Sequence, residues 1–334
     1  MNPMRILGQD LALDLGAAST QIYARKRGIV INEPSLVVRC STTGKVIGYG
    51  ADTPAGTGPE PVAIRPVVGG VPADVDLTTR MIRHFLRKVH GHPFSRPRMV
   101  IALPADSTGF AGNALRDLAF QAEARRVYLV HHGLAAALGA GLPVREAAGN
   151  MIIDIGRDTT RIAVVSCASV VHAATVQSGG ADVNRAIVAQ VKHDHGLDIT
   201  EQSAEVAKRG IGSAWRPVNR TASVRGVDRS GRTGIVAISA GQVYEATRQT
   251  VTMIVRAARE VIERCSPDLA ADVADRGAVL TGGGALMRGL ARRLRLELEV
   301  PVQRAERPVE TVALGLGRCV DDIGRISRDT LMQP

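Results

Sequence analysis

Aromatic side chains are scarce: one Trp, four Tyr and four Phe give 3% of 334 residues. A core must therefore be packed from Ala, Val, Leu and Ile, and no aromatic-basic stacking surface for nucleic acid is available. Cysteine is equally thin. Cys40, Cys167, Cys265 and Cys319 form no CxxC pair and no zinc spacing, which leaves structural thiols in a reducing compartment. No apolar run reaches the roughly 18 residues of a membrane-spanning helix. The start, Met1–Asp10, is too short and polar for a signal peptide. No GxGxxG follows a strand and no Gly-x4-Gly-Lys-Ser/Thr occurs, which weakens dinucleotide binding and excludes a P-loop. Acid is in deficit, 32 Asp and Glu against 42 Lys and Arg, for a net charge of +10. That surplus favours adhesion to an anionic leaflet or partner. It is diffuse, densest at Arg25-Lys26-Arg27 and at Arg292-Arg293 with Arg295, and no specific nucleic-acid binding is expected.

What is present is apolar content of 45%, enough for a sizeable core, in a chain long enough for two or three domain-sized units. Short strands are expected at 11–15, 20–24, 29–31 and 35–38, then a loop-rich stretch from Ser41 to Gly70. A helix starts near Asp76, with Leu77, Met81, Ile82, Phe85 and Val89 on one face. Further elements are a strand at 99–103, a helix at 113–122 with Asn113 as N-cap, a strand at 127–130 and a short Ala-rich helix at 134–140. Strands at 151–155, 160–166 and 170–177 then repeat the opening pattern. Helices follow at Gly179-Gly180 onward, 200–208 and 241–264, with a polar hairpin at 216–234. Strands alternating with helices, in two copies, predict an α/β fold of two similar lobes.

Three glycine turns punctuate that pattern. Asp14-Leu15-Gly16-Ala17-Ala18-Ser19-Thr20 and Asp154-Ile155-Gly156-Arg157-Asp158-Thr159-Thr160 each end a strand with a carboxylate and continue in small, hydroxyl-bearing residues. Thr281-Gly282-Gly283-Gly284-Ala285 is the third. Two such turns facing one cleft would cradle a polyphosphate on backbone N–H groups, and the carboxylates would hold hydrated Mg²⁺.

In order along the chain, Gly28–Ser35, Met81–Phe85, Ala135–Pro143, Gly149–Gly156 and Leu280–Leu290 resemble the MreB family of bacterial actin-like rod-shape proteins, within the superfamily of actin, Hsp70 and sugar kinases. The resemblance implies an actin-like, duplicated RNase H-like fold of four subdomains. One lobe would take 1–146 plus 313–330, with a small subdomain at about 33–75; the other would take 147–312, with one at about 181–242. It also implies ATP or ADP with Mg²⁺, self-assembly or assembly with paralogous subunits into filaments, and a place on the inner face of the cytoplasmic membrane beside the cell-wall elongation machinery.

Carried over residue by residue, Asp14 and Asp154 become the phosphate-loop acids and Mg²⁺ carboxylates. Ala17, Ala18 and Ser19 form the first phosphate loop, where the family has Thr-Ala-Asn; Gly156, Arg157, Asp158 and Thr159 form the second. Glu205 and Lys208, which share a helix face, match the ribose and adenine helix. Gly282, Gly283, Gly284, Ala285 and Leu286 match the adenosine loop, where a missing Cβ lets backbone lie against the base. Three departures cluster at the γ-phosphate end. Arg157 and Asp158 replace two glycines, His132 replaces the water-orienting glutamate, and Arg161 replaces an acid. Histidine is a fair base near neutral pH, yet beside polyphosphate it would tend to be protonated. His131 and His132 lack a third metal ligand. Phe94, flanked by Arg96 and Arg98, aligns with the family's apolar membrane loop.

The reading is a membrane-associated cytoplasmic filament protein of cell shape and wall synthesis, binding nucleotide with weakened or absent hydrolysis. The alternative is a nucleotide-independent pseudo-ATPase scaffold on MreB-type filaments or wall-synthesis proteins.

Overall fold

The computed structural model describes residues 8–52, 61–90, 95–104, 109–217 and 219–323. Two compact units emerge. One comprises Met1–Ala147, Val165–Val170 and Glu310–Pro334; the other comprises Ala148–Val164 and Val171–Val309.

The first unit opens with β1 (Leu11–Leu15), β2 (Ser19–Ala24) and β3 (Gly28–Pro34), and continues with β4 (Val37–Cys40), β5 (Val46–Tyr49), β6 (Pro61–Ile64), β7 (Val67–Val68) and β8 (Val71–Pro72). Then come α1 (Val75–His90), β9 (Arg98–Leu103), α2 (Gly109–Gln121), β10 (Arg126–His131) and α3 (His132–Gly139). The main sheet has the order β10-β9-β1-β2-β3. β1 runs antiparallel to β2 and parallel to β9, which places Leu11, Leu13, Met99 and Ile101 in one fully buried layer. Met81 and Phe85 of α1 and Leu115 and Leu118 of α2 pack into the same core.

Two expectations fail here. The stretch from Ser41 to Gly70 is not simply loop: β5 and β6 pair antiparallel with either side of β4. Strands of four residues show too little alternation to be read as such. Asn113 is not an N-cap, because α2 already runs from Gly109; its side chain instead accepts from Arg116 at 3.3 Å.

The second unit holds β11 (Asn150–Ile155) and most of β12 (Thr160–Ser166) and β13 (Ser169–Val176), then α4 (Gly180–His195), β14 (Asp198–Ile199), α5 (Glu201–Ile211), β15 (Thr221–Val227) and β16 (Thr233–Ser239). It continues with α6 (Ala240–Glu263), α7 (Pro267–Arg276), β17 (Ala278–Thr281), a 3₁₀ turn (Gly283–Leu286), α8 (Leu290–Leu298) and β18 (Val302–Arg304). Its main sheet, β13-β12-β11-β17-β18, has the topology of the first sheet, strand for strand, as the sequence echo predicts. Met151, Ile153, Ile162 and Leu280 of this sheet pack on Val251, Ile254, Val255 and Ala258 of α6. A satellite core joins α4, α5 and the β15–β16 hairpin through Val183, Ile187, Ala204, Val224 and Ile238. The chain then returns to the first unit as α9 (Thr311–Asp321).

Candidate nucleotide site

In the first unit, Asp14 sits on β1 half-buried, in register with Gln21 across the hairpin. The turn after it is closed by Gly16 N–H donating to Ser19 O at 3.1 Å, and a Cβ on Gly16 would come within 2.8 Å of that oxygen. Ala17 is buried, Ser19 half-buried and Ala18 exposed. The turn's carbonyls are held from behind. The Ser35 hydroxyl donates to Gly16 O at 2.6 Å, Ser35 N–H to Ala18 O at 3.1 Å, and Arg65 to Ala17 O and Ala18 O at 3.3 and 3.4 Å. These contacts fix the turn's carbonyls on the protein side. Sequence reasoning missed Ser35 and Arg65; Ser35 lies in a quoted stretch of resemblance, while Arg65 carries no sequence signal. His132 is buried as the first residue of α3. His131 before it is half-buried, burial pushes its pKa down, and no hydrogen-bond partner reaches its Nδ1 among the described residues.

In the second unit, parallel pairing of β11 with β17 puts Asp154 beside Thr281, and the Thr281 hydroxyl donates to Asp154 Oδ1 at 2.9 Å with both residues buried. Gly282 follows at φ +77°; a Cβ there would meet Ile155 O at 2.4 Å and Asp154 Oδ1 at 2.7 Å, so only glycine fits. A Cβ on Gly283, by contrast, would meet nothing within 4 Å. The 3₁₀ turn buries Ala285 and leaves Leu286 about half exposed, an apolar side chain at the turn's rim.

The second acidic turn is built like the first: Gly156 N–H donates to Thr159 O at 2.9 Å. Its outer carbonyls cap α4, Gly156 O accepting from Gly180 N–H at 3.0 Å and Arg157 O from Ala181 N–H at 2.8 Å. Thr159 is buried, and the Thr160 hydroxyl donates to Ser178 O at 2.9 Å. Arg157 does not project free into the turn. Its Nη1 lies 2.8 Å and its Nη2 3.1 Å from the two carboxylate oxygens of Glu201, and its Nε lies 3.4 Å from Asp158.

Glu205 and Lys208 do share a face of α5. Lys208 Nζ donates to Glu205 at 2.6 Å and to Gly180 O at 2.9 Å, while Asn184 donates to Glu205 at 2.9 Å. This brings the Glu-x-x-Lys face and the second phosphate turn together on the N-terminus of α4. Burial works against the Glu205 charge, but hydrogen bonds from Lys208, Asn184 and Arg209 prevail and hold its pKa at about 2. Burial likewise lowers the pKa of Lys208 against the pull of Glu205. A depressed carboxyl stabilises the fold above its unfolded pKa, and that contribution is lost as pH falls through the folded value. The Glu205 contribution is therefore expected intact at pH 5 and lost near pH 2. Glu205→Gln should flatten the acid limb of a stability–pH curve; an unchanged limb would refute the assignment.

The family model for the MreB/Mbl protein matches residues 8–328. The cell shape-determining protein Mbl of Bacillus subtilis is 37% identical over 332 residues, 98% of this chain and 100% of that protein. The chain belongs to the MreB/Mbl family. Cell shape-determining protein MreB of Escherichia coli is 39% identical over 330 residues, 95% of each chain. The solved structure of MreB 5 of Spiroplasma citri bound to AMPPNP superposes with a TM-score of 0.89 at 27% identity, covering 95% of this chain and 97% of that one. The fold is actin-like, as the resemblance implies.

The nucleotide and Mg²⁺ of an MreB-type site fit the residues present. Gly282 closes on Asp154 with no room for a Cβ, while Gly283 faces open space where a base could lie. Among the described residues no cluster of three His, Cys, Asp or Glu could cage a metal. Mg²⁺ needs none, since it keeps its waters and takes one or two carboxylates plus phosphates. Phe94 lies outside the described residues.

Proposed function

We propose that this chain is an MreB-type cytoskeletal protein that binds ATP or ADP with Mg²⁺ and assembles with itself or with paralogous subunits. It works beneath the cytoplasmic membrane with the wall-elongation machinery and hydrolyses ATP slowly or not at all. The Asp154–Thr281–Gly282 arrangement carries this reading: a buried carboxylate oriented by a hydroxyl, against a glycine that tolerates no Cβ, serves a ligand better than it serves packing. Asp14 with Ala17, Ala18 and Ser19 would supply the other phosphate contacts, and Glu205 and Lys208 the ribose and adenine contacts. The AMPPNP bound to MreB 5 of Spiroplasma citri supports a nucleotide for this chain too. The test is a nucleotide titration paired with sedimentation. Binding with pelleting is expected; neither would leave the scaffold reading.

Slow hydrolysis rests on His132, which stands where the family has a glutamate to orient water. Loss of a water-positioning group removes on the order of 10²-fold in rate. His132→Glu is expected to raise phosphate release at least about tenfold. Phosphate release by the unaltered protein at ordinary family rates would sink the proposal. The scaffold reading draws its support from Arg157 and Asp158, which place paired charges where the resemblance to the family implies two glycines.

Membrane contact is supported by the end of the first sheet where β10, β9 and β1 begin. Arg126 and Arg98 lie in register there, and Leu11 pairs with Ala24, so the Arg25-Lys26-Arg27 turn and Arg125 share the rim. The buried carboxylate of Asp10 answers this charge, 2.8 Å from Arg98 and 3.6 and 3.8 Å from Arg25 and Arg125. Phe94 would add an apolar anchor. Reversing Arg125 and Arg126 to Glu should weaken binding to anionic vesicles by on the order of tenfold or more. Cosedimentation unchanged by that double reversal would remove the rim from the membrane surface.

A further inference from the structure

Arg157 holds an unusual place. It sits in the second phosphate turn, yet its guanidinium grips Glu201, the first residue of α5, through two near-parallel bonds of 2.8 and 3.1 Å. Such a fork fixes orientation as well as distance. Asp158 steadies the same guanidinium from the other side at 3.4 Å. From Glu201 the connections go on through Asn184, 3.4 Å from Glu201 and 2.9 Å from Glu205, then through Lys208 back to Gly180 O, which belongs to the helix that the turn itself caps. The circuit is closed: phosphate turn, α5, α4, phosphate turn. Its charges also balance, with Arg157 and Lys208 against Asp158, Glu201 and Glu205, and Arg209 on Glu205 as the third cation.

We propose that Arg157 is a positioning residue: with Glu201 it latches α5 onto the second phosphate turn before any nucleotide arrives, setting the stance of Glu205 and Lys208. This rests on the nucleotide reading above and deepens it. A flexible glycine turn would leave α5 to be placed by the ligand. Here the protein's own ion pair places it, so Arg157 serves the adenosine end from a position at the phosphate end. The arginine is occupied by two carboxylates and is not aimed at phosphate.

Two measurements test the latch. Without nucleotide, hydrogen exchange of the α5 amides is expected to quicken about fivefold in Glu201→Gln and in Arg157→Lys, the size of a good half-exposed ion pair. Unchanged exchange in both overturns the proposal. With ADP and with AMPPNP, both variants should lose affinity by the same factor, about fivefold, and the double variant should lose no more than either single one. A loss in Arg157→Lys that is larger for AMPPNP than for ADP, with Glu201→Gln binding as well as or better than the unaltered protein, would make Arg157 a phosphate ligand and overturn the latch. If the unaltered protein binds neither nucleotide, the nucleotide reading fails, and the exchange measurement alone still decides the latch.

Discussion

Gly315→Ala is expected to destabilise the first unit strongly, although alanine is the better helix former. α3 and α9 cross with their backbones touching. A Cβ on Gly315 would sit 1.8 Å from Ala135 O and 2.7 Å from Gly139 N, and one on Gly139 would sit 1.7 Å from Thr311 O. Helix propensity favours alanine over glycine by about 1 kcal/mol. Relieving the clash requires one helix to back away by more than an ångström from a close-packed layer that holds Ala313, Leu316 and Val320 buried. Overpacking of that kind costs roughly 3 kcal/mol or more, so the clash wins, and the loss is a large share of ordinary domain stability. The single Trp, Trp215, lies in the second unit, which gives an internal control. Urea unfolding followed by far-ultraviolet circular dichroism should shift to lower urea, while the Trp transition stays closer to its place. A midpoint that rises or does not move would mean that the helices are not in backbone contact.

That crossing shows what a sequence hides. Gly315 and Gly317 read as weak points in a helix, and nothing local says that Gly315 faces Ala135 O or that Gly317 lies against the Tyr23 ring. The strands around the three glycine turns were legible because their signal is local: an apolar run, an acid, a glycine. The expected strand at 160–166 matches β12, and that at 151–155 matches β11 save one residue at its start. Of the β4–β6 sheet only β4 was partly legible, as the expected strand at 35–38; β5 and β6 were not, because each is only four residues long and shows no clean alternation of burial. Asn113 misled for a related reason. A good capping residue in mid-helix is indistinguishable, without the backbone, from one at the start.

The candidate site divides the same way. Asp14 and Asp154 announce themselves by position, at the end of a strand before a glycine turn. The proximity of Glu205 to Lys208 follows from helical spacing. Ser35 and Arg65, which grip the first turn from behind, are ordinary residues until the fold places them. Arg157 was visible as a departure, an added side chain where glycine was expected. Its partner was not, since Glu201 lies 44 residues further on and opens a different helix. Sequence alone placed Arg157 in the second phosphate loop; the fold adds its pairing with Glu201 of α5.

Asp154→Asn is expected to separate ligand binding from folding. The Asp154 carboxylate is buried and accepts a hydrogen bond from Thr281 at 2.9 Å. Asparagine has the same shape and keeps an oxygen for that bond, so the β11–β17 register and the Gly282 turn survive. What disappears is a negative charge in a buried position. The variant should therefore keep the folded far-ultraviolet circular dichroism spectrum when no nucleotide is present. Its affinity for the Mg²⁺ complex of ADP or AMPPNP should fall about tenfold to a hundredfold, the size of one lost interaction with a charged group. The difference in affinity with and without Mg²⁺ should shrink in the variant, because it lacks the charge that the proposed function assigns to the hydrated ion. Equal Mg²⁺-dependent affinity in both proteins would put Asp154 outside the ligand's reach.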